Sequence, residues 1–181
     1  EKKYRLLAEN VEDVIWQLNE TLDAYTYVSP SVTRLLGYTP DEMMRMPLEA
    51  LLAPNSRSQI QTMMRDWLVE GSRAEEDEER RRIDAPHTWE AEYVRKDGET
   101  IWVESRTRPL WDEGGAFRGL VGVTRDVSER KRAERVTQAR LRIAEASTTR
   151  SSEALMQMTL DEIEALTGSE IGFYHLVLED Q

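Results

Sequence analysis

The residues that could carry chemistry in this sequence are its carboxylates, its hydroxyl side chains and its two histidines. Cysteine is absent, which excludes disulfides, thiolate nucleophiles and cysteine-ligated metal sites. His87 falls in a predicted turn and His175 in a predicted strand, so neither has the helical, acid-flanked setting of a phosphoacceptor histidine. The sequence has no glycine-rich phosphate loop, HExxH motif or nucleophile elbow. We therefore expect no catalytic residue and no metal site in this chain, which is not expected to be an enzyme by itself.

Net charge and hydropathy narrow the classes of partner. The 181 residues carry 24 basic and 35 acidic side chains, and the net charge of −11 argues against a nucleic-acid binder. No apolar run approaches the roughly 20 residues that a membrane span needs, and the start lacks a signal peptide. We expect a cytoplasmic chain with no membrane segment of its own, which opens as if cut from a longer protein. Attachment of that parent protein to a membrane stays open.

The elements that would position these side chains begin with a predicted hairpin. Residues 14–18 and 24–28 are β-branched and aromatic runs joined by a polar turn. Ser29 then offers an N-cap and Pro30 the first position of a helix, and Gly37 suits the helix C-terminus.

Two more helices are predicted before the chain turns to strands. Thr39 and Glu42 have the spacing of a capping box. A longer helix is predicted over residues 57–70, where apolar side chains recur at spacings of three and four, namely Ile60, Met63, Met64 and Trp67. The charged stretch 75–82 is interpreted as a solvated helix end or loop.

After Pro86 the pattern changes to the period of two that is typical of strands. Residues 89–95 and 100–110 are predicted strands joined through Asp97-Gly98, a strong hairpin signal. A further strand is predicted over 117–127. Five antiparallel strands with helices on one face form an α+β layout.

In combination, several motifs resemble a PAS domain with its C-terminal (PAC) motif. The match spans about residues 4 to 128 and rests on Val28-Ser29-Pro30-Ser31, Leu36-Gly37-Tyr38, Arg95-Lys96-Asp97-Gly98, Trp102, Pro109 and the run from Gly119 to Lys131. The resemblance implies a five-stranded antiparallel sheet that cups a small internal cavity under the helices, followed by a long C-terminal helix. Such domains bind ligands, dimerise or relay conformational change. The expected organisation is a PAS domain over 1–128, a connecting helix over 129–150 and a truncated start of a GAF domain over 151–181.

The GAF resemblance rests on a predicted helix over 155–167 and a predicted strand over 171–177. The PAS resemblance also implies which strand residues face inward. By alignment with the ligand-facing positions of the family, the pocket candidates are Trp16, Leu36, Met43, Met44, Ile60, Met64, Trp89, Tyr93, Val103, Ser105, Gly122 and Thr124. Five of the seven methionines lie between Met43 and Met64, and such flexible side chains can reshape around varied contents. The alternative interpretation is that these residues simply fill a core.

The resemblance also limits the cofactors. Light-sensing relatives that bind flavin form an adduct through a cysteine, which this chain lacks. Haem-binding relatives present a histidine from the long helix, which here has none, so haem and photochemical flavin are not expected. An unknown small organic ligand, largely apolar or aromatic, is the remaining possibility.

The exit from the last strand is the expected site of signal relay. Asp126 and Ser128 can cap the following helix, and a rigid junction would let a shift of the sheet move that helix. A weak heptad seam in the helix suits a marginal parallel dimer, and its members are Val136, Ala139, Ile143 and Ala146.

The function expected from these features is a sensory and relay module of a multidomain signal-transduction protein. A sensor histidine kinase of a two-component phosphorelay is favoured as the parent protein. The alternatives are a diguanylate cyclase, or a ligand-free module for protein–protein interaction and dimerisation. The expected partners are a second copy, through the connecting helix or the face of the sheet, and a downstream output domain.

Overall fold

The computed structural model describes residues 12–73 and 86–173. The chain divides into two compact units, of which the first ends at Ser128 and the second begins at Glu129. In chain order the elements of the first unit are β1 (Val14–Leu18), β2 (Tyr25–Val28), α1 (Val32–Leu36), α2 (Pro40–Arg45), a 3-10 helix (Leu48–Leu51), α3 (Pro54–Arg73), β3 (His87–Val94), β4 (Thr100–Trp111) and β5 (Phe117–Asp126).

The strands form one five-stranded antiparallel sheet in the order β2-β1-β5-β4-β3. Strands that are adjacent in sequence pair as hairpins, β1 with β2 and β3 with β4 with β5. The first and last strands in sequence, β1 and β5, pair with each other, with Val14 opposite Thr124 and Leu18 opposite Leu120. The α+β class and the antiparallel five-stranded sheet are therefore confirmed, with β5 as the central strand between β1 and β4.

The start of α1 differs from the prediction, which placed the N-cap at Ser29 and the first helical turn at Pro30. The helix begins two residues later, at Val32. The hydroxyl of Ser29 is not available as a cap, because it accepts a hydrogen bond from the Ile15 N–H at 2.8 Å and so ties the chain to β1. The predicted end of the helix is confirmed, since Gly37 adopts a left-handed φ of 80°.

The capping box at the start of α2 is confirmed. The Glu42 N–H donates to the Thr39 hydroxyl at 3.2 Å, and the Thr39 N–H donates to the Glu42 carboxylate at 2.9 Å. The same carboxylate accepts from Lys96 Nζ at 2.8 Å. This ion pair joins α2 to the turn between β3 and β4.

The long helix α3 begins at Pro54, three residues before the predicted start, because proline is well suited to the first turn of a helix. It continues to Arg73, and the charged stretch predicted at 75–82 lies outside the described residues. Relative to the predicted ranges, β3 begins two residues earlier and ends one residue earlier, β4 ends one residue later, and β5 ends one residue earlier.

The core lies between the inner face of the sheet and the helices. The strands alternate as their period-two pattern predicts, and the buried residues on the inner face are Val14, Trp16, Trp89, Ala91, Tyr93, Ile101, Val103, Ser105, Thr107, Leu120 and Thr124. The helices add Leu36, Met43 and Ile60 to this core. The period-two pattern thus separates a buried face of the sheet from the opposite face.

The second unit contains α4 (Ser128–Ser147), which starts at the last residue of the first unit, and α5 (Ser152–Thr167). The two helices lie antiparallel, since Arg142 binds the Glu162 carboxylate at 2.6 Å and Arg135 donates to the Ala165 carbonyl at 3.0 Å. Of the predicted heptad seam, two members are buried, Ala139 and Ala146. The first three residues of the strand predicted over 171–177 have no regular secondary structure, and the others lie outside the described residues.

Candidate functional site

The described part of the first unit contains a cavity of about 370 Å³. Both edge strands of the sheet contribute to it, β2 through Tyr25 and β3 through Tyr93. The remaining wall comes from the β1–β2 loop, the 3-10 helix and α3. The complete lining is Leu22, Asp23, Tyr25, Pro47, Leu48, Glu49, Leu52, Ile60, Gln61, Met64, Arg65 and Tyr93.

The cavity changes in character from floor to rim. Its buried residues are Leu22, Leu52, Ile60 and Tyr93, and its half-buried residues are Tyr25, Leu48 and Met64. The exposed residues at the rim are Asp23, Pro47, Glu49, Gln61 and Arg65. An apolar floor with a polar rim suits a small amphipathic molecule whose apolar part is buried and whose polar end faces solvent.

The β1–β2 loop supplies one wall through an unusual backbone conformation. Leu22 has a φ of 54°, which is the left-handed region that a leucine rarely adopts. The loop is held by Asn19, whose side-chain oxygen accepts from the Asp23 N–H at 3.1 Å and whose backbone carbonyl accepts from the Leu22 N–H at 3.1 Å. Strained residues of this kind cluster at binding sites, where the surrounding structure holds them in place.

Two tyrosine hydroxyls supply hydrogen-bonding groups in the cavity wall. Burial raises the pKa of the Tyr25 phenol well above its ordinary value, and the neighbouring Tyr93 raises this pKa further. Burial also raises the pKa of Tyr93, and a hydrogen bond with Ser105 acts in the opposite direction. Both phenols are therefore uncharged near neutral pH and can donate or accept a hydrogen bond.

The charged rim residues differ in how far they are already engaged. Hydrogen bonds from Asn19 and Thr21 lower the pKa of the Asp23 carboxyl. The Glu49 carboxylate accepts from Gln61 Nε2 at 2.7 Å. The Arg65 guanidinium lies exposed at the rim and lines the cavity, so it can bind a polar group of a ligand.

Of the predicted pocket residues, Ile60, Met64 and Tyr93 line this cavity. The others lie in the core around it, where Met44 is half-buried and the remaining members are buried, namely Trp16, Leu36, Met43, Trp89, Val103, Ser105, Gly122 and Thr124. Their role in ligand binding stays a prediction. Sequence reasoning missed the β1–β2 loop and the 3-10 helix. In the 3-10 segment the only available signal was the apolar character of Leu48 and Leu52. That segment is short and has no clear periodicity.

The indole of Trp89 is a polar anomaly beside the cavity. The side chain is 7% exposed, and its Nε1–H has no hydrogen-bond partner among the described residues. The centroids of the Trp89 and Tyr93 rings are 6.5 Å apart. A buried donor without a partner costs free energy, so this position has a structural penalty that other residues must offset.

The predicted relay residues lie where β5 ends. The Asp126 carboxylate accepts from the Ser128 N–H at 2.7 Å. The Ser128 hydroxyl accepts from the Trp102 N–H at 3.0 Å, and the Val127 N–H donates to the Trp102 carbonyl at 2.9 Å. The N–H and the carbonyl of Trp102 on β4 thus both bind the residues that follow β5, at the point where α4 begins.

A family model now decides what this fold is, because the model of the PAS fold matches residues 2–127. The chain belongs to the PAS family. The cavity described above therefore lies inside a PAS domain, under the helices and beside the inner face of its sheet.

Individual relatives of this PAS chain are sensory proteins. It is 27% identical over 179 residues to the methyl sulfide methyltransferase-associated sensor of Methanosarcina acetivorans, an alignment that covers 96% of this chain and 16% of the relative. The solved structure of a sensory box histidine kinase/response regulator from Burkholderia thailandensis has a TM-score of 0.53 at 23% identity, covering 77% of this chain and 98% of that one.

The N-terminal domain of a diguanylate cyclase with PAS/PAC sensor from Marinobacter aquaeolei is also similar, with a TM-score of 0.52 at 15% identity, and it covers 66% of this PAS chain and 98% of that one. At these identities the solved structures show a shared fold. The chain spans about one sixth of the length of the curated relative, since 16% of that sensor is aligned.

Within residues 12–73 and 86–173, none of the helices combines the length and the apolar character that a membrane span requires. In the same ranges, histidine and carboxylate side chains do not gather in a group of three that could hold a metal ion.

Proposed function

We propose that this PAS chain is the sensory and relay module of a larger cytoplasmic signal-transduction protein, and that its cavity binds a small organic ligand. The observation that carries the proposal is the cavity of about 370 Å³ with a buried apolar floor and a charged rim. Its size falls within the range of small-molecule sites. The chain itself acts as a sensor, and catalysis belongs to other parts of the larger protein.

The chemistry of the lining defines the class of ligand. The floor residues Leu52 and Ile60 favour an apolar or aromatic body, and the Tyr93 hydroxyl offers one hydrogen bond to it. At the rim, Gln61 and Arg65 offer N–H donors to a polar end. A compact amphipathic metabolite satisfies both parts.

The relay from the cavity is assigned to the junction between β5 and α4. The Ser128 N–H donates to the Asp126 carboxylate at 2.7 Å, and the Ser128 hydroxyl accepts from the Trp102 N–H of β4 at 3.0 Å, so the first residue of α4 is bound to the sheet. A rigid junction transmits a displacement of the strand to the helix, whereas a loose loop would absorb it. These contacts support Asp126 and Ser128 as the relay residues.

The output of the larger protein is proposed to be a histidine kinase in a two-component phosphorelay, with a diguanylate cyclase as the alternative. The support is the description of the similar proteins, which include a histidine kinase and a diguanylate cyclase. The similarity to the methanogen sensor extends over 179 residues, well past the PAS match, which supports a further domain beginning near Ser151. We assign that domain to the GAF family.

Ligand binding is tested with the purified chain. Native mass spectrometry is expected to detect a bound small molecule, and a panel of small amphipathic metabolites is expected to raise the melting temperature for at least one compound. The variant Leu48→Trp places a bulky indole ring in the cavity wall in place of the leucine side chain, and it is expected to abolish that rise. Leu141→Trp is the matched control, because Leu141 is exposed and lies in the second unit. Retention of the rise in Leu48→Trp would contradict binding in this cavity.

A second candidate function is homodimerisation, which the outer face of the sheet favours. Tyr27 and Val123 are large apolar residues there with exposures of 39% and 38%. The seam on α4 is the other candidate interface, although part of it is buried beside α5. The double variants Tyr27→Asp/Val123→Asp and Val136→Asp/Ile143→Asp separate the two. Light scattering is expected to show a monomer for whichever pair lies in the interface, and an unchanged dimer mass for both would refute both assignments.

A further inference from the structure

Trp16 occupies the middle of the inner face of the sheet. It lies on β1 directly opposite Gly122 of β5, and its side chain is 4% exposed. A Cβ atom added at Gly122 would lie 2.2 Å from the indole Cζ2 of Trp16. Only glycine leaves room for the ring at this position, so the two residues together form a closely packed slot that is filled by an indole.

The polar atoms around this slot are satisfied within the protein. The Trp16 Nε1–H donates to the Thr124 hydroxyl at 2.7 Å, and the Thr124 and Ser105 hydroxyls are hydrogen-bonded at 2.6 Å. Both hydroxyl residues are buried. The part of the inner face that offers hydroxyl groups and a glycine is therefore already occupied by a side chain.

Tyr25 lies between Trp16 and the cavity. The two rings meet edge to face, with their centroids 6.1 Å apart, and Tyr25 lines the cavity. Trp16 thus supports one cavity wall from behind. A smaller side chain at position 16 would remove that support and would expose the hydroxyl of Thr124.

We propose that Trp16 is the specificity-determining residue of the cavity. Its indole occupies the space above Gly122 as an internal aromatic ligand, and it confines an external ligand to the space of about 370 Å³ between the edge strands and α3. This inference rests on the proposed ligand-binding function. It implies that removing the indole creates a slot for a flat bicyclic molecule with one N–H donor.

The experiment uses the whole chain carrying Trp16→Gly, with indole itself as the probe. Indole at about ten times its Kd is expected to raise the melting temperature of the variant by roughly 5 °C. Indene has nearly the same shape but no N–H, and it is expected to bind about tenfold more weakly because it cannot donate to Thr124. Any response of the wild-type chain to indole is expected to be smaller than that of the variant, since its slot above Gly122 is filled.

Trp102→Gly is the matched control, because Trp102 faces the outer side of the sheet and is not enclosed. Indole is expected to leave its melting temperature unchanged. Equal responses of the Trp16→Gly and Trp102→Gly variants, or no response of Trp16→Gly, would overturn the proposal. Equal binding of indole and indene would overturn the part assigned to Thr124.

A second variant decides the matter if Trp16→Gly does not fold. Thr124→Val removes the acceptor for the Trp16 N–H and keeps the volume of the side chain. Hydrogen exchange of the Trp16 indole N–H, followed by NMR, is expected to become at least about tenfold faster, and an unchanged rate would overturn the proposal. The proposed function fails separately, if the wild-type chain binds no compound of the metabolite panel, because neither variant measurement depends on the natural ligand.

Discussion

Two buried tryptophans on the inner face of the sheet differ in one bond. The Trp16 N–H donates to Thr124 at 2.7 Å, whereas the Trp89 N–H has no partner among the described residues. Both rings contribute apolar burial, so the difference between them isolates the value of the hydrogen bond. A buried donor that is satisfied stabilises the fold, and one that is not satisfied costs about 1–3 kcal/mol.

Replacing each ring by phenylalanine is therefore expected to have unequal effects. Trp16→Phe should lower the free energy of unfolding by about 1–3 kcal/mol, because it removes the bond to Thr124 and part of the packing on Gly122. Trp89→Phe should change it by less, because the loss of packing is offset by removal of the unpaired donor. Urea unfolding followed by circular dichroism measures both values. A larger loss for Trp89→Phe would show that its N–H has a partner in solution.

The ion pair between Glu42 and Lys96 gives a pH dependence of known sign. The Lys96 ammonium is the main cause that lowers the pKa of the Glu42 carboxyl from its ordinary 4.5, and the Thr39 N–H lowers it further. A lowered pKa in the folded state adds stability that is fully present above the ordinary pKa and is lost as the pH falls through the folded value. The contribution is also screened by salt, since the pair is exposed.

Glu42→Gln tests this dependence, because glutamine keeps the acceptor for the Thr39 N–H and removes the charge. The difference in unfolding free energy between wild type and variant is expected to be largest above the ordinary pKa of the carboxyl and to shrink as the pH falls through its lowered value in the folded state. Chemical unfolding across pH 3–7 measures it. The control is Glu113→Gln, which removes a charge in the β4–β5 turn. A pH-independent difference for Glu42→Gln would rule out the ion pair as its source.

At the scale of elements, the Ser128 hydroxyl is one of the groups that hold the junction between β5 and α4. The Ser128 Oγ accepts from the Trp102 N–H at 3.0 Å, so Ser128→Ala leaves that backbone donor without its partner. We expect a loss of about 1 kcal/mol in unfolding free energy and faster hydrogen exchange of the Trp102 amide. Ser147→Ala, at the other end of α4, is the control and is expected to change neither. Unchanged exchange at Trp102 would mean that the junction is not held in this way.

The sequence predicted the elements well where the signal was local. The capping box at Thr39 and the alternation of β3 to β5 depend on residues within one turn or one strand, and both are confirmed. The predicted start of α1 was wrong, because the Ser29 hydroxyl accepts a hydrogen bond from the Ile15 N–H, which is 14 residues away in the chain. Local helix propensity does not include a hydrogen-bonding partner so far away in the sequence, which here takes the hydroxyl that would have capped the helix.

The position of the cavity could not be predicted from the sequence for a similar reason. Gly122 and Thr124 have the small and polar character of a ligand site, and the sequence does not say that an indole already fills the space. The contact that decides this joins Trp16 to Thr124 across 108 residues. It depends on the pairing of β1 with β5, which brings the two ends of the PAS domain together in the middle of the sheet. Pairing of that kind becomes visible only in the folded chain.

At the scale of the whole molecule, the two units differ in how much core they contain. The first unit closes its own sheet and buries a continuous apolar cluster that extends from Val14 to Leu120. Among the described residues from Glu129 onward, Ala139 and Ala146 are the buried members. Alanine buries little apolar surface, so the second unit gains little hydrophobic stabilisation by itself.

The first unit is therefore expected to fold alone, and the second to lose most of its helix when it is separated. A chain ending at Ser128 should unfold cooperatively, and its amide NMR spectrum should overlay the corresponding signals of the whole chain. A peptide of residues 129–181 should show low helicity by circular dichroism, because helices of this length are marginal in water without a packed face. A stable helical fold of the peptide would show that residues from Glu129 onward carry their own core, and an unfolded 1–128 chain would show that the PAS core requires them.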